Sequence, residues 1–213
     1  IVAGRVVPFF TESGVAGAKA EVRRSVEVLT FTLAPALALA HLLALLPRPW
    51  GGLAVTLGAA LAAGLAAIQV LRFWGWQDPR AWRNPMLAVL YAGYLWLMAG
   101  LALDALAGLG WLAPFPAMHA LTAGAFGVFT LGMMVRVTQG HTGRLVATSP
   151  ATNVAFVLVN AAALARVLPP LIAPAAYGTW LVVSGVLWML AFGVFLWVYG
   201  PMLMRPRIDG RPG

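Results

Sequence analysis

Six apolar runs of membrane-crossing length dominate this sequence, and they leave few folds open. They cover residues 26–46, 53–73, 86–109, 116–138, 151–168 and 177–199. A hydrocarbon core about 30 Å thick needs about 20 helical residues, which each run approaches. A membrane β-barrel would instead need strands of about ten residues with alternating polarity, and these runs do not alternate. The fifth run is the weakest, since it carries Asn153, Asn160 and Arg166. Pro35 falls inside the first run and is expected to kink its helix or widen a turn. With 62% hydrophobic and 9% charged residues, the expected fold class is all-α, a polytopic transmembrane helical bundle.

The chain begins without Met or a signal-peptide pattern, and residues 1–10 read as the tail of a truncated helix. Its end, from Arg205 to Gly213, reads as a natural polar terminus. The expectation is a single transmembrane domain over residues 1–213, forming the C-terminal fragment of a longer protein. Cysteine is absent, which excludes disulfides and thiolate ligands from this chain.

A net charge of +8 raises the question of nucleic acid, but the placement of the charges argues for a lipid bilayer as the partner. Of the 14 Lys and Arg residues, all but Arg48 and Arg166 fall on one side of the expected topology. The positive-inside rule assigns that side, including the C-terminus, to the cytoplasm. The loops at 11–25, 74–85 and 140–150 lie there and are the longer ones, whereas the opposite turns are tight. Trp50, Trp74, Trp76, Trp82 and Trp111 fall near span boundaries, as an interfacial belt would.

Ionisable groups inside a membrane are costly, so each is a functional candidate. His41, Asp104 and His119 all lie roughly 5–8 Å below the outer boundary at the helical rise per residue. They converge if their helices pack together, and neutral imidazole is a ligand for haem iron and copper. Two plainer readings stand beside this: Asp104 pairs with Arg166 at similar depth, and His41 is a hydrogen-bonded helix-end residue. Glu27, near the inner boundary, is expected to cap its helix rather than pair with an arginine.

The fourth run has a histidine at each end, His119 and His141, which therefore face opposite sides of the membrane and cannot share a metal ion. Gly124, Gly127 and Gly132 permit close helix approach. His119, Thr122, Phe126, Thr130 and Met133 recur every three or four residues and share one face of a regular helix. That stripe faces a cofactor or cavity, or it packs against neighbours. Met133 and Met134 read as core filler rather than copper ligands. At the inner end, Arg136, His141 and Arg144 form a basic group around a turn with Gly140 and Gly143. The group suits an anion, a haem propionate or a lipid phosphate, or is positive-inside charge alone.

The segments His119-Ala-Leu-Thr-Ala-Gly-Ala125, Thr130-Leu131, Met134-Val-Arg136 and Gly140-His-Thr-Gly-Arg144 resemble the signature of the NnrS family. Gly4-Arg-Val-Val-Pro-Phe-Phe-Thr11, Gly75-Trp76, Tyr91-Ala-Gly-Tyr94, Tyr199-Gly-Pro201 and Asp209-Gly-Arg-Pro-Gly213 extend the resemblance over essentially the whole chain. It implies a bacterial inner-membrane protein of about twelve spans, of which this is the second half. It further implies haem and copper, and a role in nitric-oxide tolerance associated with denitrification. The missing N-terminal half of the same protein would be a partner, with nitric oxide a further one. The residues matching the family motif are Arg5, Pro8, His119, Thr122, Arg136, His141 and Arg144. As cofactor-binding candidates we take His119, His141, His41, Arg136 and Arg144, the three histidines being the candidate metal ligands; His41 rests on depth alone. The alternative function is a small-molecule or metal transporter without redox chemistry, using Pro35 and the Gly-rich span as flexible elements and Asp104 on its path. A sensory or structural membrane partner is a third reading, since no catalytic nucleophile or acid–base pair is evident.

Overall fold

Each of the six runs becomes a long helix, and the opening segment a shorter one, in a computed structural model that describes residues 2–47 and 49–210. The charge of Arg48, the first residue of the opening segment and the last three of the closing motif (211–213) lie outside the described residues. The helices are α1 (Val2–Gly14), α2 (Arg24–Leu43), α3 (Trp50–Trp76), α4 (Pro85–Gly108), α5 (Phe115–His141), α6 (Pro150–Ile172) and α7 (Tyr177–Leu203). Helices α2 to α7 are long and apolar enough to cross a membrane, and no strand occurs among the described residues. The chain is a polytopic helical bundle. Each span outlasts the apolar run or shifts its ends by a few residues, because caps rather than hydropathy end a helix. Asn84 accepts from the Met86 amide and Ser149 from the Thr152 amide, each just before a proline that opens the helix.

Helix α4 is the hub, with half of its most apolar window buried against 17% for α7. It packs on α3, α5 and α1, while α2 lies along α3 and α7 along α6. The main core sits towards the basic end. It joins Val7 of α1, Trp76 of α3, Leu87, Leu90, Tyr91 and Tyr94 of α4, Leu131 and Val135 of α5, Val159 of α6 and Phe195 of α7. A smaller cluster, built from Leu37, Ala62, Leu65, Leu101 and Ala105, joins α2, α3 and α4. Of the tryptophans expected at the interface, Trp50, Trp74, Trp82 and Trp111 are exposed, but Trp76 is only 1% exposed. It is core because the Tyr94 ring and the Arg72 guanidinium close over it.

Lipid tails are as apolar as leucine, so helix association in a bilayer relies on close van der Waals contact. The α4–α5 seam supplies it with glycines on both helices. A Cβ at Gly93 would sit 3.1 Å from Phe129, one at Gly100 2.5 Å from Leu121, and one at Gly132 2.7 Å from Val89. Gly124 receives the Trp96 indole of α4, and Gly127 receives the Trp188 indole of α7.

The hydrogen-bonding pattern of α5 changes between Ala120 and Gly127, where eight residues form a π-helix. This wider coil keeps the backbone paired, as hydrocarbon demands, while it advances fewer degrees per residue. The part of α5 after it therefore lags in rotation behind a regular helix.

The seam predicts a contrast between glycines. A Cβ at Gly127 would fall 2.1 Å from the Trp188 ring, whereas nothing lies within 4 Å of one at Gly193 on α7. Gly127→Ala is expected to destabilise by about 1–3 kcal/mol through overpacking. Gly193→Ala should leave stability unchanged or slightly raised. Thermal unfolding of the purified protein in detergent checks both.

Candidate functional site

The three membrane groups expected to converge do so only in part. His41 Nε2 and Asp104 Oδ2 are 3.0 Å apart, linking α2 to α4. Asp104 is mostly buried and His41 is 55% exposed by side chain. Arg166, the other expected partner of Asp104, is elsewhere: its guanidinium carbon lies 5.5 Å from the Tyr177 ring centroid. His119 is half-buried, and its ring makes no hydrogen bond among the described residues. The charge that acts on it is Arg166. The separation is a matter of helix order: α2 lies along α3, while the start of α5 lies against α4 and α6. Accordingly, no three His, Cys, Asp or Glu side chains form a metal-sized group among the described residues.

The expected stripe on α5 is divided between two cavities. Thr122 lines a cavity of about 530 Å³ against α6 and α7, with Arg166, Ser184 and Trp188. Thr130 and Met133 line a different cavity of about 600 Å³, with Val2 and Ala3 of α1 and Tyr94 and Leu97 of α4. Phe126 borders both, and is largely exposed. Thr122 lies about two turns before Thr130, so the stripe meets different neighbouring helices along its length. Met133 and Met134 are both partly buried against the main core and present on the larger cavity.

At the basic end the expected Arg136–His141–Arg144 group is likewise dispersed. Arg136 turns towards α1 and α4: one Nη donates to the Met86 carbonyl at 3.2 Å, and the guanidinium lies 3.8 Å from the Phe10 ring centroid. Its Nε is buried without a partner. The His141 side chain is exposed, and its carbonyl accepts from Arg207 Nη1 at 2.9 Å. Arg144 donates to the Thr142 carbonyl. Gly143 has a φ of +76° with Asp209 against it, so the end of the chain packs over this turn. Gln139 holds the following loop by donating to the Ala147 carbonyl at 2.8 Å and accepting its amide at 3.1 Å. Arg207 and Asp209 form an ion pair there, and the carboxylate raises the already high pKa of the guanidinium. Of the other family-motif residues, Pro8 is buried in α1 and Arg5 is exposed.

The most connected polar group in the membrane was not found from the sequence. Arg72 of α3, 3% exposed by side chain, donates through Nε and Nη2 to Glu27 of α2 at 2.5 Å each. Glu27 thus pairs with an arginine, although it also occupies the first turn of α2 where a cap was expected. The Gln69 carbonyl oxygen accepts from Tyr94, and the Gln69 amide donates to Thr30 at 3.3 Å. Arg72 stacks on Trp76 at 4.6 Å, and Gly4 of α1 closes over it, leaving no room for a Cβ. The network links α2, α3 and α4 beneath α1, and Tyr94 carries it to the wall of the larger cavity. A usable signal was present: Glu27 and Arg72 lie near the same end of neighbouring antiparallel spans, and a charge at that depth requires a partner.

This geometry predicts the energetic order of three variants. Glu27→Gln leaves the buried guanidinium without its counter-charge and should destabilise by about 3 kcal/mol, the low end for a broken buried pair because Glu27 is partly exposed. Arg72→Met alone should be destabilising too. The double variant should recover much of the loss, since an apolar pair no longer carries the desolvation penalty. Thermal or denaturant unfolding in detergent provides the double-mutant cycle.

No curated protein and no solved structure matches the chain significantly. The family model described as NnrS protein matches residues 1–207, and the chain belongs to the NnrS family.

Proposed function

We propose that this chain is part of a haem- and copper-binding inner-membrane protein that acts in nitric-oxide response and tolerance associated with denitrification. Membership of the NnrS family carries the reading. The donor set is compatible with it. His119 offers an imidazole inside a span that is unpaired among the described residues. His41 holds a carboxylate at one ring nitrogen and leaves the other for a ligand, the arrangement common behind metal-bound histidine. Bound haem iron or copper would supply a coordination position suited to a diatomic such as nitric oxide.

The protein's own residues would do three things. Asp104 would fix the orientation and tautomer of His41. His119 would present a neutral nitrogen from a wall with few competing donors, completing its site with a residue outside this chain. His141 would serve a separate site at the basic end, where Arg144 and Arg136 contribute positive charge without contacting the imidazole. The basic side, with the C-terminus, would face the cytoplasm.

Absorption spectroscopy and metal analysis of the protein purified from bacterial membranes test this reading. His119→Ala is expected to remove or strongly weaken the Soret band, and His41→Ala to lower metal content. An unchanged spectrum in His119→Ala overturns its role as a haem ligand, and a protein free of haem and copper overturns the reading as a whole. A periplasm-dependent phosphatase fused to the C-terminus should be inactive, and activity there would reverse the orientation.

A further inference from the structure

Arg166 is a charged residue without a protein counter-charge or hydrogen bond among the described residues. It lies within an apolar span, and its Nη1 is buried. Arginines at this depth usually snorkel to the interface or pair inside the protein. Arg166 is partly exposed, but its Nη1 stays buried, and among the described residues no carboxylate reaches it, Asp104 being held by His41. The groups placed near it are the Tyr177 ring and His119, on which its charge acts.

Arg166 lines the 530 Å³ cavity between α5, α6 and α7. The other polar side chains there are already satisfied: Thr122 Oγ1 donates to the Met118 carbonyl at 2.8 Å and Ser184 Oγ to the Ala162 carbonyl at 2.9 Å. The remaining walls are apolar, from Phe126, Leu181, Trp188 and Met189. Arg166 lies nearer the end of the bundle opposite the basic loops, and Phe126, Trp188 and Met189 lie deeper. The cavity is thus a cationic head above an apolar body. Its α5 wall comes from the π-helical segment, which turns Thr122, Ala123 and Phe126 towards it.

We infer that this cavity binds an anionic amphiphile, with a carboxylate or phosphate oxygen on the Arg166 guanidinium and an acyl chain along Phe126, Trp188 and Met189. A guanidinium gives a forked pair of donors to such oxygens, and the pairing is strongest where water is excluded. This site uses none of the histidines as ligands, although Arg166 lies close enough to His119 for its charge to act on that ring.

Native mass spectrometry of the detergent-purified protein tests it, with added oleate, dioleoyl-phosphatidylglycerol, dioleoyl-phosphatidylcholine and inorganic phosphate as probes. Oleate or phosphatidylglycerol should be retained about tenfold better than phosphatidylcholine, the preferred one identifying a carboxylate or a phosphate head. Inorganic phosphate should not compete, because it lacks the acyl chain. Arg166→Gln should lower retention about tenfold, and Arg166→Lys should restore part of it. Gly185→Leu leaves Arg166 in place but fills the cavity from a position where a Cβ meets nothing, and it should also lower retention. Equal retention by wild type and a folded Arg166→Gln overturns the inference, as does full retention by Gly185→Leu or displacement by inorganic phosphate.

Discussion

The fold depends on how closely α5 approaches α4. In water such a seam would be sealed by burying large apolar side chains, but in lipid their transfer contributes little. Contact area at short range has to do that work, and the glycines on both helices allow it: Gly93 and Gly100 on α4, Gly124 and Gly132 on α5. Large residues of the facing helix fill the space that each glycine leaves. Trp96 lies against Gly124 and also donates to Asn160 of α6 at 3.2 Å, so the seam fixes a third helix as well. From this centre α3 extends to α2, and α6 to α7.

Polar groups are distributed unevenly about that seam. Towards the basic end they are joined to one another: Glu27, Arg72, Gln69, Tyr94 and Thr30 form one network, while Thr11 and Tyr91, and Thr152 and Tyr199, pair across helices. Most of the core lies there too. Towards the other end the polar groups are few and partly unused. Among the described residues His119 has no hydrogen bond at its ring and Arg166 has a buried nitrogen without one, while His41 and Asp104 pair with each other. Spare bonding capacity is nevertheless found at both ends among the described residues, since Arg136 Nε and Asn153 Oδ1 towards the basic end are also buried without a partner. A buried polar group left unsatisfied costs free energy, so its retention is explained more readily by a ligand than by stability.

Much of the architecture was legible in the sequence because it follows from composition along one dimension. Apolar runs of sufficient length have to become spans, and the asymmetric arginines order them. The pairing of charges was less legible. Asp104 had two partners at matching depth, and only the packing of α2 near α4 selects His41 over Arg166. Glu27 read as a cap because its own helix explains it locally, whereas its partner Arg72 is distant in sequence and reaches it only because α2 and α3 are antiparallel neighbours. Trp76 shows the same limit: its position at a span boundary suggests an interfacial ring, but the interior network claims it.

The π-helical segment is where sequence periodicity misleads most, and it bears directly on function. Residues spaced three or four apart share a face only while the helix keeps 3.6 residues per turn. Between Ala120 and Gly127 α5 does not, and along its length Thr122 lines the Arg166 cavity while Thr130 and Met133 line the Tyr94 cavity. Small residues make the wider coil tolerable, since Gly124 and Gly127 admit the Trp96 and Trp188 rings against the distorted backbone. The same residues that permit close packing therefore also permit the change of register, and a single span can serve two separate cavities at once.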